Sequence, residues 1–139
     1  MTDREFLPEL VRRESRTFLQ YVRESYPWAK GPGEIKLRDQ IARMADEEGE
    51  HIAKLGRLVL KRRHPFAGPD PYPTSFTNSN FLDTYALVPK LLDAERQSLE
   101  ALEREHAACA DDELRAMLAS YRDLKRRHVA ELESLAAAK

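Results

Sequence analysis

Most of the glycines and prolines in this chain fall in two stretches, and the segments they leave between them have helical length. Pro27 with Gly31-Pro32-Gly33 makes the first stretch, and Pro65, Gly68, Pro69, Pro71 and Pro73 make the second. Neither residue is at home inside a helix, glycine for its backbone freedom and proline for its missing N–H. Four helical segments are therefore expected, near Asp3–Tyr26, Glu34–Arg63, Phe81–Cys109 and Glu113–Leu135. Thr2 with Glu5 fits a capping box at the start of the first, although Pro8 allows that start to lie at Leu7 or Pro8 instead. Lys61, Arg62 and Arg63 suit the negative end of the second helix's dipole. Pro89 either kinks the third segment or marks its true start. Asp111 or Asp112 can cap the fourth.

Loop lengths give the topology. Segments one and two, and again three and four, are joined by short turns, so each pair is expected to be an antiparallel hairpin. The connection from Pro65 to Asn80 is long for a structureless loop, and it can cross the length of a bundle. The expectation is an all-α four-helix bundle, two hairpins joined by one long crossover, forming a single domain over residues 1–139.

Composition removes several classes. There are 23 Lys+Arg against 24 Asp+Glu, a net charge of -1, which argues against nucleic acid and charged membrane surfaces as partners. The four basic residues within Arg122–Arg127 do not change that balance. The mean hydropathy of -0.64 and the lack of a long apolar run argue against a membrane span. No signal-peptide pattern opens the chain, so the cytoplasm is the expected compartment. A single cysteine, Cys109, rules out an internal disulfide and any four-cysteine metal site.

Each helix carries an apolar stripe at steps of three and four, and each stripe is broken near its middle by ionisable residues. The first runs Leu7, Val11, Glu14, Phe18, Tyr21; the second Leu37, Ile41, Met44, Glu48, His51, Leu55, Leu58. The third runs Val88, Leu92, Glu95, Leu99, Leu102, His106; the fourth Leu114, Met117, Tyr121, Lys125, His128, Leu132, Leu135. Burying one unpaired charge costs several kcal/mol. Mid-helix positions of antiparallel neighbours meet at one level, so three carboxylates, two imidazoles and an ammonium are expected to converge. Mutual pairing or a bound cation can offset their desolvation.

This pattern resembles the ferritin-like superfamily, and within it the rubrerythrin-like di-iron proteins. That family places one Glu on its first helix, Glu-x-x-His on the second, one Glu on the third and Glu-x-x-His on the fourth. Here Arg13-Glu14-Ser15-Arg16 looks like the first-helix segment, Glu48-Gly49-Glu50-His51 carries the second-helix motif, and Ala94-Glu95-Arg96 looks like the third-helix glutamate. Lys125-Arg126-Arg127-His128 matches the fourth only at its histidine. The resemblance implies Glu14, Glu48, His51, Glu95 and His128 as metal ligands. In the family each metal takes a terminal Glu and a His, and the two motif glutamates bridge.

Lys125 is the departure, because it stands where the second bridging carboxylate is expected. Four carboxylates balance two divalent ions, whereas three carboxylates and an ammonium balance one. Glu14, Glu48 and His51 would then remain as a set for one ion, compatible with iron, manganese or zinc, with Glu95 and His128 a poorer half-site. Alternatively Lys125 fills the vacated metal position and pairs with Glu95 or Glu48, leaving a core of ion pairs without metal. The residues leave both arrangements open. His128 is expected to bond a neighbouring carboxylate. Tyr21 and Tyr121 are expected as core aromatics, Trp28 as a packing anchor, and Glu47, Glu50, Glu103 and Glu105 as a solvated face. His64 and His106 are given no role.

Two functions follow. The first is a metal-dependent oxidoreductase or iron-handling protein binding at most one divalent ion, engaged in iron handling or in oxygen or peroxide chemistry. Lacking a Cys-x-x-Cys pair, it would need an external electron donor. The second is a metal-free bundle that has lost this chemistry and acts as a binding or structural module. A homodimer fits either.

Overall fold

The computed structural model describes residues 2–66, 68 and 70–138. Met1, Ala67, Pro69 and Lys139 lie outside the described residues, and with them the helix-breaking role read for Pro69. Every regular element among the described residues is helical: α1 Asp3–Glu14, α2 Phe18–Ser25, α3 Gly31–Lys61, α4 Thr84–Ala108 and α5 Asp112–Ala137, with a short 3₁₀ helix at Thr74–Ser79. None of the helices is long and apolar enough to cross a membrane.

The first expected helix is two helices. α1 stops at Glu14, and Thr17 is the N-cap of α2, its Oγ1 accepting from the Gln20 N–H at 3.4 Å. Ser15 Oγ donates to the Val11 carbonyl at 2.6 Å, which satisfies one of the acceptors that a helix end leaves open. α1 does begin at Asp3, with the Thr2 N–H donating to Glu5 Oε2 at 3.2 Å, so Pro8 lies inside it. α3 starts at Gly31 rather than Glu34; Gly31 has φ +80°, which glycine adopts without strain, and Pro32 follows in the first turn, where a missing N–H costs nothing. α4 starts at Thr84 rather than Phe81, because Asp83 Oδ1 caps it by accepting from the Ala86 N–H at 2.8 Å. It then continues through Pro89. Asp111 caps α5 through the Leu114 N–H at 2.8 Å.

Pairs across the molecule fix the directions in which the helices run. Gln20 and Arg23 of α2 meet Ala45 and Asp46 of α3, while Leu7 and Leu10 of α1 pack with Leu55 and Leu58 further along α3. Glu103 and Glu95 of α4 meet Arg126 and Lys125 of α5, and Arg96 meets Glu133. Arg43, inside α3, and Arg62, at its C-cap, pair with Glu131 and Asp111 respectively. From Leu7 and Leu10 to Gln20 and Arg23 the partners on α3 fall from Leu55 and Leu58 to Ala45 and Asp46. From Arg96 to Glu103 those on α5 fall from Glu133 to Arg126, and from Arg43 to Arg62 they fall from Glu131 to Asp111, so these helices run antiparallel.

The segment between α3 and α4 passes over the α1–α2 break. Arg16 Nε donates to the Asp70 carbonyl at 2.6 Å, and its guanidinium lies 4.7 Å from the Tyr72 ring centroid. Tyr72 and Phe76 then pack on Tyr21, with ring centroids 5.3 and 5.5 Å away. The apolar interior forms two clusters. One gathers Leu7, Leu10, Leu55, Leu102 and Leu118; the other gathers Phe18, Val22, Ile41, Met44, Leu91 and Leu132. A layer of buried charge lies between them.

Candidate functional site

Glu14 ends α1, Glu48 and Glu95 lie midway along α3 and α4, and Lys125 and His128 lie one turn apart on α5. Each of the five is at most 1% exposed. Lys125 Nζ stands 3.0 Å from Glu14 Oε1, 2.9 Å from Glu48 Oε1 and 2.9 Å from Glu95 Oε2. The contact with Glu95 has hydrogen-bond alignment, and those with Glu14 and Glu48 are ion pairs. An ammonium carries three donors, and here each of its three neighbours is a carboxylate from a different helix.

The three carboxylates differ in their other partners. Glu14 also accepts from Tyr121 Oη at 2.8 Å, Ser98 Oγ at 2.9 Å and Arg13 Nε at 3.0 Å. Burial alone would raise its pKa, but Lys125, Arg13 and the Tyr121 hydroxyl outweigh burial and hold it down at about 2. Glu95 has a single partner. Its Oε1 is buried without a hydrogen bond, and burial together with the nearby charges of Glu48 and Glu14 pushes it up to about 8 against the pull of Lys125. Lys125 itself is raised well above its ordinary value: burial opposes its charge, but the carboxylates of Glu14, Glu48 and Glu95 overcome that. Glu95 is thus more readily protonated than Glu14, beside which Arg13 adds a second cation.

His128 bridges two more acceptors. Its Nδ1 lies 2.6 Å from Glu48 Oε2 and its Nε2 2.9 Å from Glu47 Oε1. Glu47 is held from the solvent side by Arg43 Nη1 at 2.8 Å, and its pKa is lowered chiefly by the bond to His128. Thus Glu47 belongs to the site, where the sequence suggested a solvated face. Glu105 also departs from that expectation, forming a two-pronged pair with Arg13 at 2.8 Å on each oxygen.

Four of the five expected ligands converge: Glu14, Glu48, Glu95 and His128. His51 does not join them. Its ring stacks on Tyr121 at 5.6 Å between centroids, it is half-buried, and burial and Lys54 lower its pKa. Glu48 points straight inward, and three residues further on a helix turns by about 60° less than a full circle, which leaves His51 at the margin of the stripe. Tyr121, Ser98 and Arg13 were not singled out as ligand partners. Tyr121 precedes Lys125 by four and Ser98 follows Glu95 by three, the spacings that share a helix face.

The donor set does not fit a metal as it stands. The three carboxylates close on Lys125 Nζ, and an ion among them would meet an ammonium at contact distance in a low dielectric. The histidine of the intact Glu-x-x-His motif is turned to Tyr121. Among the described residues, no group of three or more His, Cys, Asp or Glu side chains is placed to hold a metal ion. Comparison of the chain with known protein families, with curated proteins and with solved structures gave no match.

Proposed function

We propose that this chain is a ferritin-like four-helix bundle in which Lys125 takes the place of the metal, and that it works as a binding or structural module. The observation that carries this reading is the ammonium of Lys125 at 2.9–3.0 Å from Glu14, Glu48 and Glu95. Ferritin-like topology is supported by the opposed running of α1–α2 against α3, of α4 against α5 and of α3 against α5, and by the long connection before α4. An internal cation needs neither metal supply nor electron donor.

Urea unfolding with and without Mn(II) tests the reading. The parent midpoint is expected to be the same with Mn(II) and with a chelator, since a ligand stabilises only what it binds. Lys125→Glu, which supplies the missing carboxylate, is expected to be about 3–5 kcal/mol less stable than the parent without metal and to recover with Mn(II). A parent midpoint that rises with Mn(II) and falls with chelator would overturn the proposal.

A further inference from the structure

Trp28 is the only tryptophan in the chain, and it is 77% exposed rather than packed as the sequence suggested. Its backbone is nonetheless held. Thr84 Oγ1 of α4 donates to the Trp28 carbonyl at 3.2 Å, and Arg38 Nη1 of α3 donates to the Pro27 carbonyl at 3.2 Å. Tyr26, just before, has φ +48° and ψ +75°, a left-handed conformation uncommon for a bulky residue. Its ring is covered by the Arg38 guanidinium at 4.0 Å from the centroid. The turn between α2 and α3 is thus strained, pinned from two helices, and left with an indole facing water. Strain of this kind collects at ligand-binding positions.

Beside the indole lies a cavity of about 310 Å³, bounded by α2, this turn, the end of the 3₁₀ helix and α4. Val22 and Leu87, both 2% exposed, contribute its apolar lining. Tyr21 contributes an aromatic wall, fixed by its packing on Phe18, Tyr72 and Phe76. None of the side chains lining it carries a charge. Tyr21 Oη bonds Asn80 Oδ1 at 2.5 Å, so Asn80 offers a ligand its amide N–H groups, and Trp28 offers its indole N–H. This volume lies at the small end of the range for ligand pockets.

We propose that this cavity binds a small, planar, uncharged ring compound bearing a hydrogen-bond acceptor, with Trp28 closing over it. Aromatic walls match a flat ring. The donors of Asn80 and Trp28 match a carbonyl or ring-nitrogen acceptor, and the absence of a charged lining residue selects against ions, because a charge entering such a site loses hydration without gaining a partner. The inference goes beyond the reading of the ion layer and uses none of its residues.

The test uses benzamide and benzoate, which share a ring and differ in charge, with the fluorescence of Trp28 as the readout. Benzamide is expected to give a saturable change with Kd of about 1 mM or tighter. Benzoate is expected to bind at least about tenfold more weakly. Ser25 lines the cavity from the exposed end of α2, so Ser25→Phe should fill it and weaken benzamide about tenfold while leaving the circular dichroism of the parent intact. A response that rises linearly without saturating, equal responses to benzamide and benzoate, or unchanged binding in a folded Ser25→Phe would each overturn the proposal. So would burial of Trp28 in a dimer at working concentration, which would assign the exposed indole to a second copy of the chain. None of these outcomes touches the metal dependence of the urea midpoint, so the two proposals fail separately.

Discussion

At the scale of single residues, the buried layer shows how neighbours rather than burial set the state of a carboxylate. Glu14 and Glu95 are equally buried, yet Glu14 has four donors around it and Glu95 has one. Their shifts have opposite signs and act at opposite ends of the pH scale. Glu14 lies below its ordinary value of 4.5, at about 2, so its contribution to stability is present above pH 4.5 and is lost as pH falls toward 2. Glu95 lies above 4.5, at about 8, so its contribution is whole below pH 4.5 and is lost as pH rises through about 8. Glu95→Gln keeps an acceptor for Lys125 and removes the titration. In urea melts from about pH 5 to about pH 8, its midpoint should gain steadily on that of the parent. A difference that stays constant over that window would place the proton elsewhere. The sequence made Glu14, Glu48, Glu95 and Lys125 legible because a charge in an apolar stripe stands out. It hid Glu47, Ser98 and Arg13, because polar residues beside a stripe are ordinary on any helix surface. Which carboxylate keeps a proton depends on hydrogen bonds between residues as far apart as Tyr121 and Glu14, and no pattern of spacing encodes those.

At the scale of elements, the apolar periodicity located the helices better than it located their ends. The stripe residues Leu37, Ile41, Met44, Leu55 and Leu58 are all buried on α3, as are Leu114, Tyr121 and Leu132 on α5. Breaks and starts were governed by side-chain bonds that compete with the helix. Ser15-Arg16-Thr17 contains neither glycine nor proline, yet the hydroxyls of Ser15 and Thr17 end one helix and begin the next. The stripe continues from Glu14 to Phe18 across this break, so periodicity alone reads it as one helix. Proline left the starts open: Pro8 and Pro89 lie inside helices whose caps stand six residues earlier, so α1 begins at Asp3 as its capping box predicts and α4 does not begin at Pro89. The Asp83 cap decides where α4 begins. Asp83→Ala should destabilise the protein by about 1 kcal/mol, read as a lower urea midpoint with an unchanged denaturant slope. No change in the midpoint would mean that tertiary packing alone defines this end of α4.

At the scale of the whole molecule, the charge layer divides the interior into two apolar clusters and ties four helices together at one level. A continuous core would be expected to be at least as stable, since replacing buried ion pairs by apolar residues is often neutral or stabilising. The layer therefore stabilises less than it specifies: Lys125 meets its three carboxylates only when α1, α3, α4 and α5 are all in register. Convergence at one level was readable in advance, because each stripe is interrupted near its midpoint. What fills the centre was not, since one stripe pattern serves a metal and an ammonium equally well. The most direct test is crystallographic. Crystals grown with Mn(II) and measured for anomalous scattering should show no peak among Glu14, Glu48 and Glu95, and density for the Lys125 side chain should reach the point that all three carboxylates face. A manganese peak between those carboxylates, with Lys125 turned away from them, would contradict the account.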